Sequence, residues 1–502
     1  MNSFLNSLKR ENNFSLTENG GSTHKSTLNA IYDMFALGGA YRNRTAADCI
    51  LLFKKALKED ETLALKCLFY LRDILGGAGE RRFFRVCYNW LANEYPEIAF
   101  RNLDLIPEYG RWDDLYALVG TEIEADAFDV IQCQLNRDLA SLTKSSKEGV
   151  SLLAKWLKSE NASAKETKEL GNKTRKYLGW SHAKYRRLLS ALRTRINIVE
   201  KLMSENRWSE IEYDKIPSKA GLIYRNAFAF RDAERYTNFI NSKNTKVNAA
   251  TLYPYDIVRG VTSKINHWRN TDNLNDMERR TLNKYWENQK NYFDNKPCKI
   301  MCIVDTSGSM TGGGYGNVTP IDVAISLGMY CAERIEGPFK DYFISFSSRP
   351  QLIEIEGIDF CDKVQRIYRQ NLCSNTNLKA VFDMLLEIYV SGRAKEEDMP
   401  EQLVIISDME IDRGSYWRDD NTKNTEMELI RKEWAAAGVK VPKLVYWNVN
   451  ARHNNILDDI DNPEITYISG CSPIILQNVL AGKSGIELML DKLNSERYSK
   501  IK

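Results

Sequence analysis

Histidine is nearly absent from this 502-residue chain: four stand far apart, at His24, His182, His267 and His453. The ten cysteines form no Cys-x-x-Cys pair and no cluster with histidine. That excludes a structural zinc site of ordinary ligand spacing and reads the cysteines as free buried thiols of a reducing compartment. No apolar run reaches the ~20 residues a membrane helix needs, and no apolar core with a cleavage site follows the N-terminus. A soluble, cytoplasmic protein without membrane contact is therefore expected. Neither charge sign dominates, with a net charge of +3, so any nucleic-acid surface has to be local. Hydrophobic residues at 43% and charged residues at 27% are ordinary for a globular protein, and the length allows two domains or more.

What is present falls into two textures. Residues 1–25 are polar, contain Asn19-Gly20-Gly21-Ser22, and read as a mobile arm. From residue 26 the apolar spacing is helical, as in 46–57, 62–75, 80–95, 103–118, 125–142 and 150–158. Each segment has one wide apolar stripe to bury, which predicts paired helices in a HEAT-like array. From about residue 241 Asn and Lys dominate, and a polar connector with a long helix over 277–292 is expected. The helical region as a whole is placed at 26–297. Beyond it, helices alternate with apolar strands at 341–347, 402–408, 442–448 and 465–468, which predicts an α/β domain over 298–490 with a mostly parallel sheet covered on both faces. A polar tail over 491–502 completes the division.

Two stretches carry chemistry. Between Lys165 and Lys201 eleven Lys/Arg face three Glu, a surplus larger than that of the whole chain, with Tyr177, Trp180, His182 and Tyr185 interleaved. Cations neutralise phosphates and rings stack on unpaired bases. By charge, Lys173, Arg175, Lys176, Lys184, Arg186 and Arg187 are expected as phosphate contacts. A solvated helical face is the plainer alternative. The second stretch is Lys299-Ile-Met-Cys-Ile-Val-Asp305-Thr-Ser307-Gly-Ser309, a buried strand that ends in a carboxylate and two hydroxyls spaced two apart. Such a loop at a strand's C-terminal end can converge on a small hard cation, and Mg²⁺ prefers oxygen ligands with waters retained. The following Gly312-Gly-Gly-Tyr-Gly316 lacks the Gly-Lys-Ser/Thr ending of a phosphate loop.

Asp-x-Ser-x-Ser on a strand end resembles the metal-ion-dependent adhesion site of von Willebrand factor A (vWA) domains. The resemblance adds Thr376, from Cys373-Ser-Asn-Thr376-Asn377, and Asp408, from Ile405-Ile-Ser-Asp408, to Asp305, Ser307 and Ser309 as the five ligand positions. It implies Mg²⁺ or another divalent cation, and a protein partner that supplies an acidic ligand. Tyr177-Leu-Gly-Trp-Ser-His182 followed by a basic helix is similar to the Gly-Trp-Ser-His segment of the Ro autoantigen family, whose RNA-binding helical part is the TROVE module. Leu71-Arg-Asp-Ile-Leu-Gly-Gly-Ala-Gly-Glu-Arg-Arg82 and Ile406-Ser-Asp-Met409 resemble the TROVE-like DUF2828 family. These resemblances imply a ring of HEAT-like helices closed by the vWA domain, small non-coding RNA or the single-stranded ends of misfolded RNA as ligands, and His182 as an RNA contact.

The expectation is then a non-catalytic RNA-binding scaffold with a cation-binding vWA domain for partner recognition. The alternative is a Mg²⁺-dependent protein-interaction module with no RNA role. Hydrolysis is not expected, because no histidine accompanies a serine in a nucleophile motif and no second carboxylate cluster supports two metals.

Overall fold

The computed structural model describes residues 3–142, 149–266, 271–293, 297–312, 318–346, 349–370, 375–413, 424–458, 462–476 and 483–502. Two short antiparallel ribbons, β1 (Phe14–Leu16) with β2 (Ser22–His24) and β3 (Ile265–Asn266) with β4 (Thr271–Asp272), lie apart from one large sheet. That sheet holds β5 (Ile300–Val304), β6 (Tyr342–Ser345), β7 (Gln351–Glu354), β8 (Gln402–Ser407), β9 (Lys443–Asn448) and β10 (Ile465–Ser469) in the order β10-β9-β8-β5-β6-β7. All pairings are parallel except β6 with β7. Every residue of β5 is buried, and successive strand residues face opposite ways, so both faces are covered. The strand after β5 adds on one side and β8 on the other. The C-terminal ends of β5 and β8 therefore frame the switch point where open α/β sheets hold ligands.

Helix Pro320–Arg334 shows why the sheet half folds as it does. Thr319 and Asp322 form a reciprocal capping box, proline occupies the first turn, and residues 323–332 are all buried. The helix packs on β5, β6 and β8. A Cβ at Gly328 would meet Val304 at 2.4 Å, so only glycine lets helix and strand approach this closely.

The helical half begins with Ala30–Leu37, Ala46–Glu59, Glu61–Arg72 and Arg81–Glu94, each packed on its neighbours. Asp60 both ends one helix and caps the next, its carboxylate accepting from Leu63 N–H at 2.8 Å. The helix expected over 103–118 is instead three short turns, Leu103–Leu105, Ile106–Tyr109 and Trp112–Leu118. Pro107 removes a donor in the middle of the stretch and Gly110 ends the turn that precedes it. Residues 150–158 keep only one turn, Leu153–Trp156.

Three segments read as polar periphery are packed. The N-terminal residues 14–24 form the β1–β2 ribbon, which lies against the loop after β8. The connector carries helix Pro254–Thr262, with Ile257, Val258 and Val261 fully buried, and helix Asp276–Glu287, which buries Leu282, Tyr285 and Trp286. The C-terminal stretch docks Tyr498 beneath Asp73, its hydroxyl donating to Oδ2 at 3.0 Å. The sheet also has an edge strand, β7, and a helix, Phe360–Arg369, that the sequence reading passed over. The turn Pro473–Ile475 follows β10, and residues 477–482 lie outside the described residues.

The two halves meet at both ends of the helical array. At its start, Tyr467 of β10 donates its N–H to the Tyr32 hydroxyl at 2.9 Å, and Gly39 donates to Ser469 Oγ at 3.0 Å. At its end, Trp286 Nε1 donates to Glu333 at 2.5 Å and stacks on Phe360 with centroids 4.4 Å apart. The sheet domain thus clasps the array.

Candidate functional site

The loop after β5 folds tightly on its own carboxylate. Asp305 Oδ1 accepts Ser307 N–H at 2.9 Å, and Ser307 Oγ lies 3.0 Å from Ser309 Oγ. Asp305 Oδ2 accepts the Ser407 hydroxyl of β8 at 2.5 Å, which ties the two strand ends together. Asp408 follows on β8, and Met409 after it is held at φ 63°, a left-handed backbone that costs a non-glycine residue about 1 kcal/mol. Thr376 is buried, and its carbonyl accepts the N–H of Asp412, four residues beyond Asp408, at 2.9 Å. Asp305, Ser307, Ser309 and Asp408 therefore share the C-terminal side of the β5–β8 pair, and Thr376 is tied to the loop that follows β8.

Both carboxylates are fully buried. Burial pushes the Asp305 carboxyl up. Burial, followed by the charge of Asp305, pushes Asp408 up to about 7, against the pull of Arg452. Asp408 Oδ2 makes no hydrogen bond, and its near partner is Arg452 Nη2 at 3.1 Å. Two adjacent buried carboxylates, two converging hydroxyls and one incompletely satisfied oxygen form a donor set that fits a hard divalent cation.

The edge has neighbours that no motif announced. The β1–β2 ribbon lies across it: Thr17 Oγ1 donates to Ile411 O at 2.6 Å, Asn19 Nδ2 to Glu410 O at 2.6 Å, and Glu18 N–H to Glu410 Oε2 at 2.8 Å. Ligand atoms of Glu18, Glu410 and His453 come within 4.8 Å of one another. Glu410 already uses its second oxygen on His453 Nδ1 at 2.7 Å, and the Glu18 carboxylate is turned to Arg452 at 2.5 Å.

A second feature lies inside the helical array. A cavity of about 1460 Å³ is lined by residues drawn from 42 to 256. Tyr253 and Tyr255, at the start of helix Pro254–Thr262, meet Gly79 and Arg42 near the beginning of the array, so the array returns on itself around this space. Eleven Lys and Arg side chains line it against five carboxylates. Some are spent on ion pairs, such as Arg42 with Glu80 at 2.7 Å and Arg111 with Asp113 at 2.9 Å. Among the described residues Arg81, Arg82, Lys155 and Arg193 pair with no carboxylate. Trp156 also lines the cavity, with the Arg111 guanidinium 3.9 Å from its ring centroid.

The seven residues read as RNA contacts divide. Arg186 reaches the cavity; Lys173, Arg175, Lys176, His182, Lys184 and Arg187 do not line it. Buried Glu160 gathers three of them: Arg175 at 3.3 Å, His182 Nδ1 at 2.8 Å and Arg186 at 3.5 Å. Lys173 pairs with Glu124 at 2.6 Å. Lys176, Lys184 and Arg187 are exposed away from the cavity lining, and Lys184 lies 4.9 Å from the Trp180 ring centroid. Local counting found one basic helix pair. Of the cavity cations that count took in only Arg186, Arg193 and Lys201; the rest escaped it because they come singly or in pairs from distant segments, Arg81-Arg82 in the Leu71–Arg82 stretch among them.

These features define a class: a helical array closed on a basic cavity and clasped by a doubly wound sheet with a carboxylate–hydroxyl edge. Over residues 17–132 and 153–290 the chain matches the model of the family described as domain of unknown function DUF2828, and it belongs to that family. Residues 299–500 match a domain of unknown function, DUF7788. The chain is similar to the uncharacterized protein L728 of Acanthamoeba polyphaga mimivirus, at 27% identity over 506 residues, covering 93% of this chain and 85% of that protein. Among solved structures it is similar to the crystal structure of the Deinococcus radiodurans Ro (RSR) protein, at 13% identity and a TM-score of 0.40, covering 93% of this chain and 99% of that one. Among the described residues no helix is long and apolar enough to cross a membrane.

Proposed function

We propose that this protein is a non-catalytic scaffold that holds single-stranded RNA in the basic cavity of its helical half. The observation that carries this reading is the excess of cations inside a closed array, four of them without a carboxylate partner. Guanidinium and ammonium groups with no carboxylate partner in a sheltered space neutralise phosphates and release their counterions. Trp156, Tyr224 and the guanidinium planes offer stacking surfaces for unpaired bases. The volume exceeds the roughly 300–1,000 Å³ of small-molecule pockets and suits a short polymer segment. Lys176, Lys184 and Arg187, exposed away from the cavity lining, supply a second phosphate-binding surface, which suits small non-coding or misfolded RNA with a folded body and a free end.

At the sheet edge, Asp305, Ser307, Ser309, Thr376 and Asp408 would hold Mg²⁺ or another divalent cation. A cation there supplies an open coordination position for a carboxylate or phosphate of a partner. The residues themselves orient and desolvate the site: Ser407 fixes Asp305, and burial excludes bulk water.

Fluorescence anisotropy with a labelled single-stranded oligoribonucleotide and the same sequence in a duplex tests the RNA reading. Tighter binding of the single strand, weakening steeply with salt, is expected; equal binding of both, or none, contradicts it. The construction of the sheet edge favours a second reading, a cation-dependent protein-interaction module. It expects Asp305→Ala to abolish capture of a partner protein while RNA binding persists, and capture that survives Asp305→Ala refutes it.

A further inference from the structure

Arg452 stands between two carboxylates that belong to different parts of the molecule. Its Nη2 lies 3.1 Å from Oδ2 of Asp408, a fully buried residue of the sheet edge. Its Nη1 lies 2.5 Å from Oε2 of Glu18, a half-exposed residue of the N-terminal ribbon. The backbone around Arg452 is fixed from the helical half: Ala451 N–H donates to Ala40 O at 3.1 Å, and Arg44 donates to the Arg452 carbonyl. The ribbon is fixed as well, by the Thr17, Glu18 and Asn19 contacts to residues 410–411. Only the guanidinium has two destinations. Glu410 does not compete for it, because its oxygens serve Glu18 N–H and His453.

We infer that Arg452 links cation occupancy of the sheet edge to docking of the N-terminal ribbon. The inference rests on the cation reading of Asp305 and Asp408 given above. A divalent cation at those carboxylates and a guanidinium on Asp408 carry like charge within a few ångströms, in a site with little water to screen them. The cation therefore drives Arg452 off Asp408. The acceptor already in reach is Glu18, so the guanidinium goes wholly to the ribbon and residues 14–24 are held more tightly. Coupling of this kind is reciprocal: a ribbon that draws Arg452 away favours the cation. In the cation-free protein Arg452 supplies the counter-charge that the buried pair otherwise lacks.

Hydrogen exchange of residues 14–24 in the full-length protein, with and without Mg²⁺, alongside Mg²⁺ titration by calorimetry, tests the link. In the wild type, saturating Mg²⁺ should slow exchange of the ribbon about tenfold, within the ordinary span of allosteric coupling. Glu18→Gln, at a half-exposed position, should still bind Mg²⁺ but lose that protection. Arg452→Gln should bind Mg²⁺ more tightly and also show no cation effect on the ribbon. If Mg²⁺ binds the wild type and ribbon exchange is unchanged or faster, or if Glu18→Gln keeps the protection, the link is wrong. If the wild type binds no divalent cation by calorimetry, the cation reading of the edge fails and the link fails with it.

Discussion

Tyr253 donates its hydroxyl to the Gly79 carbonyl at 3.3 Å, joining positions 174 residues apart at the seam where the helical array closes. Gly79 has φ +69°, and a Cβ there would stand 2.2 Å from that same hydroxyl. Both conditions demand glycine. Gly79→Ala should cost about 1–3 kcal/mol through backbone strain and the displaced tyrosine. A lower urea midpoint together with weaker RNA binding is expected; an unchanged midpoint would show that the seam gives way freely.

Asp33 should make stability depend on pH. Its Oδ1 accepts Thr27 N–H at 2.7 Å, and burial pushes its carboxyl up to about 6. In the unfolded chain the group titrates near an ordinary value of ~3.9. Between about pH 4 and pH 6 the folded protein keeps a proton the unfolded chain has released, so stability falls as pH rises through that window. The loss attributable to Asp33 should be about 2–3 kcal/mol at ~1.4 kcal/mol per pH unit. Asn can accept the same Thr27 hydrogen bond without ionising. Urea midpoints from pH 4 to pH 7 should decline less steeply in Asp33→Asn than in the wild type; parallel curves would rule out this origin.

Lys284 is buried with its ammonium on the carbonyls of Phe239, Ile240 and Ser242, at 3.0, 3.1 and 2.7 Å, and on Thr245 Oγ1 at 2.8 Å. It closes the C-terminal end of helix Ala233–Asn241 and fastens it to helix Asp276–Glu287. Lys284→Met keeps the stem and leaves these acceptors without their donor. A loss of about 2–4 kcal/mol in chemical denaturation is expected. A change below about 1 kcal/mol would mean that water replaces the ammonium at no cost.

The sequence speaks most clearly where one short stretch carries the whole signal. Asp305, Ser307 and Ser309 lie within five residues, and the strand that bears them is apolar throughout because both of its faces are covered. The helices from Ala46 to Glu94 announce themselves by apolar spacing and caps. Partners supplied by distant chain were not legible. Nothing near Glu18 or Arg452 marks either residue, because their meaning comes from a ribbon folding back some four hundred residues. Polar composition also misled at both termini. Glycine and asparagine in residues 14–24 make a tight turn that docks, and the buried side chains of Tyr498 and Ile501 anchor the C-terminal stretch. The basic helices at 165–195 were visible as a charge run, but buried Glu160 spends part of that charge internally.

The most direct test is the affinity of a single-stranded oligoribonucleotide for the full-length protein carrying Arg81→Glu and Arg82→Glu, measured by anisotropy across a salt series. Both residues line the cavity and neither pairs with a carboxylate among the described residues. Binding through the cavity predicts an affinity loss of at least about a hundredfold and a salt dependence flatter by roughly two released counterions. Wild-type affinity and an unchanged salt slope in that variant would contradict the account.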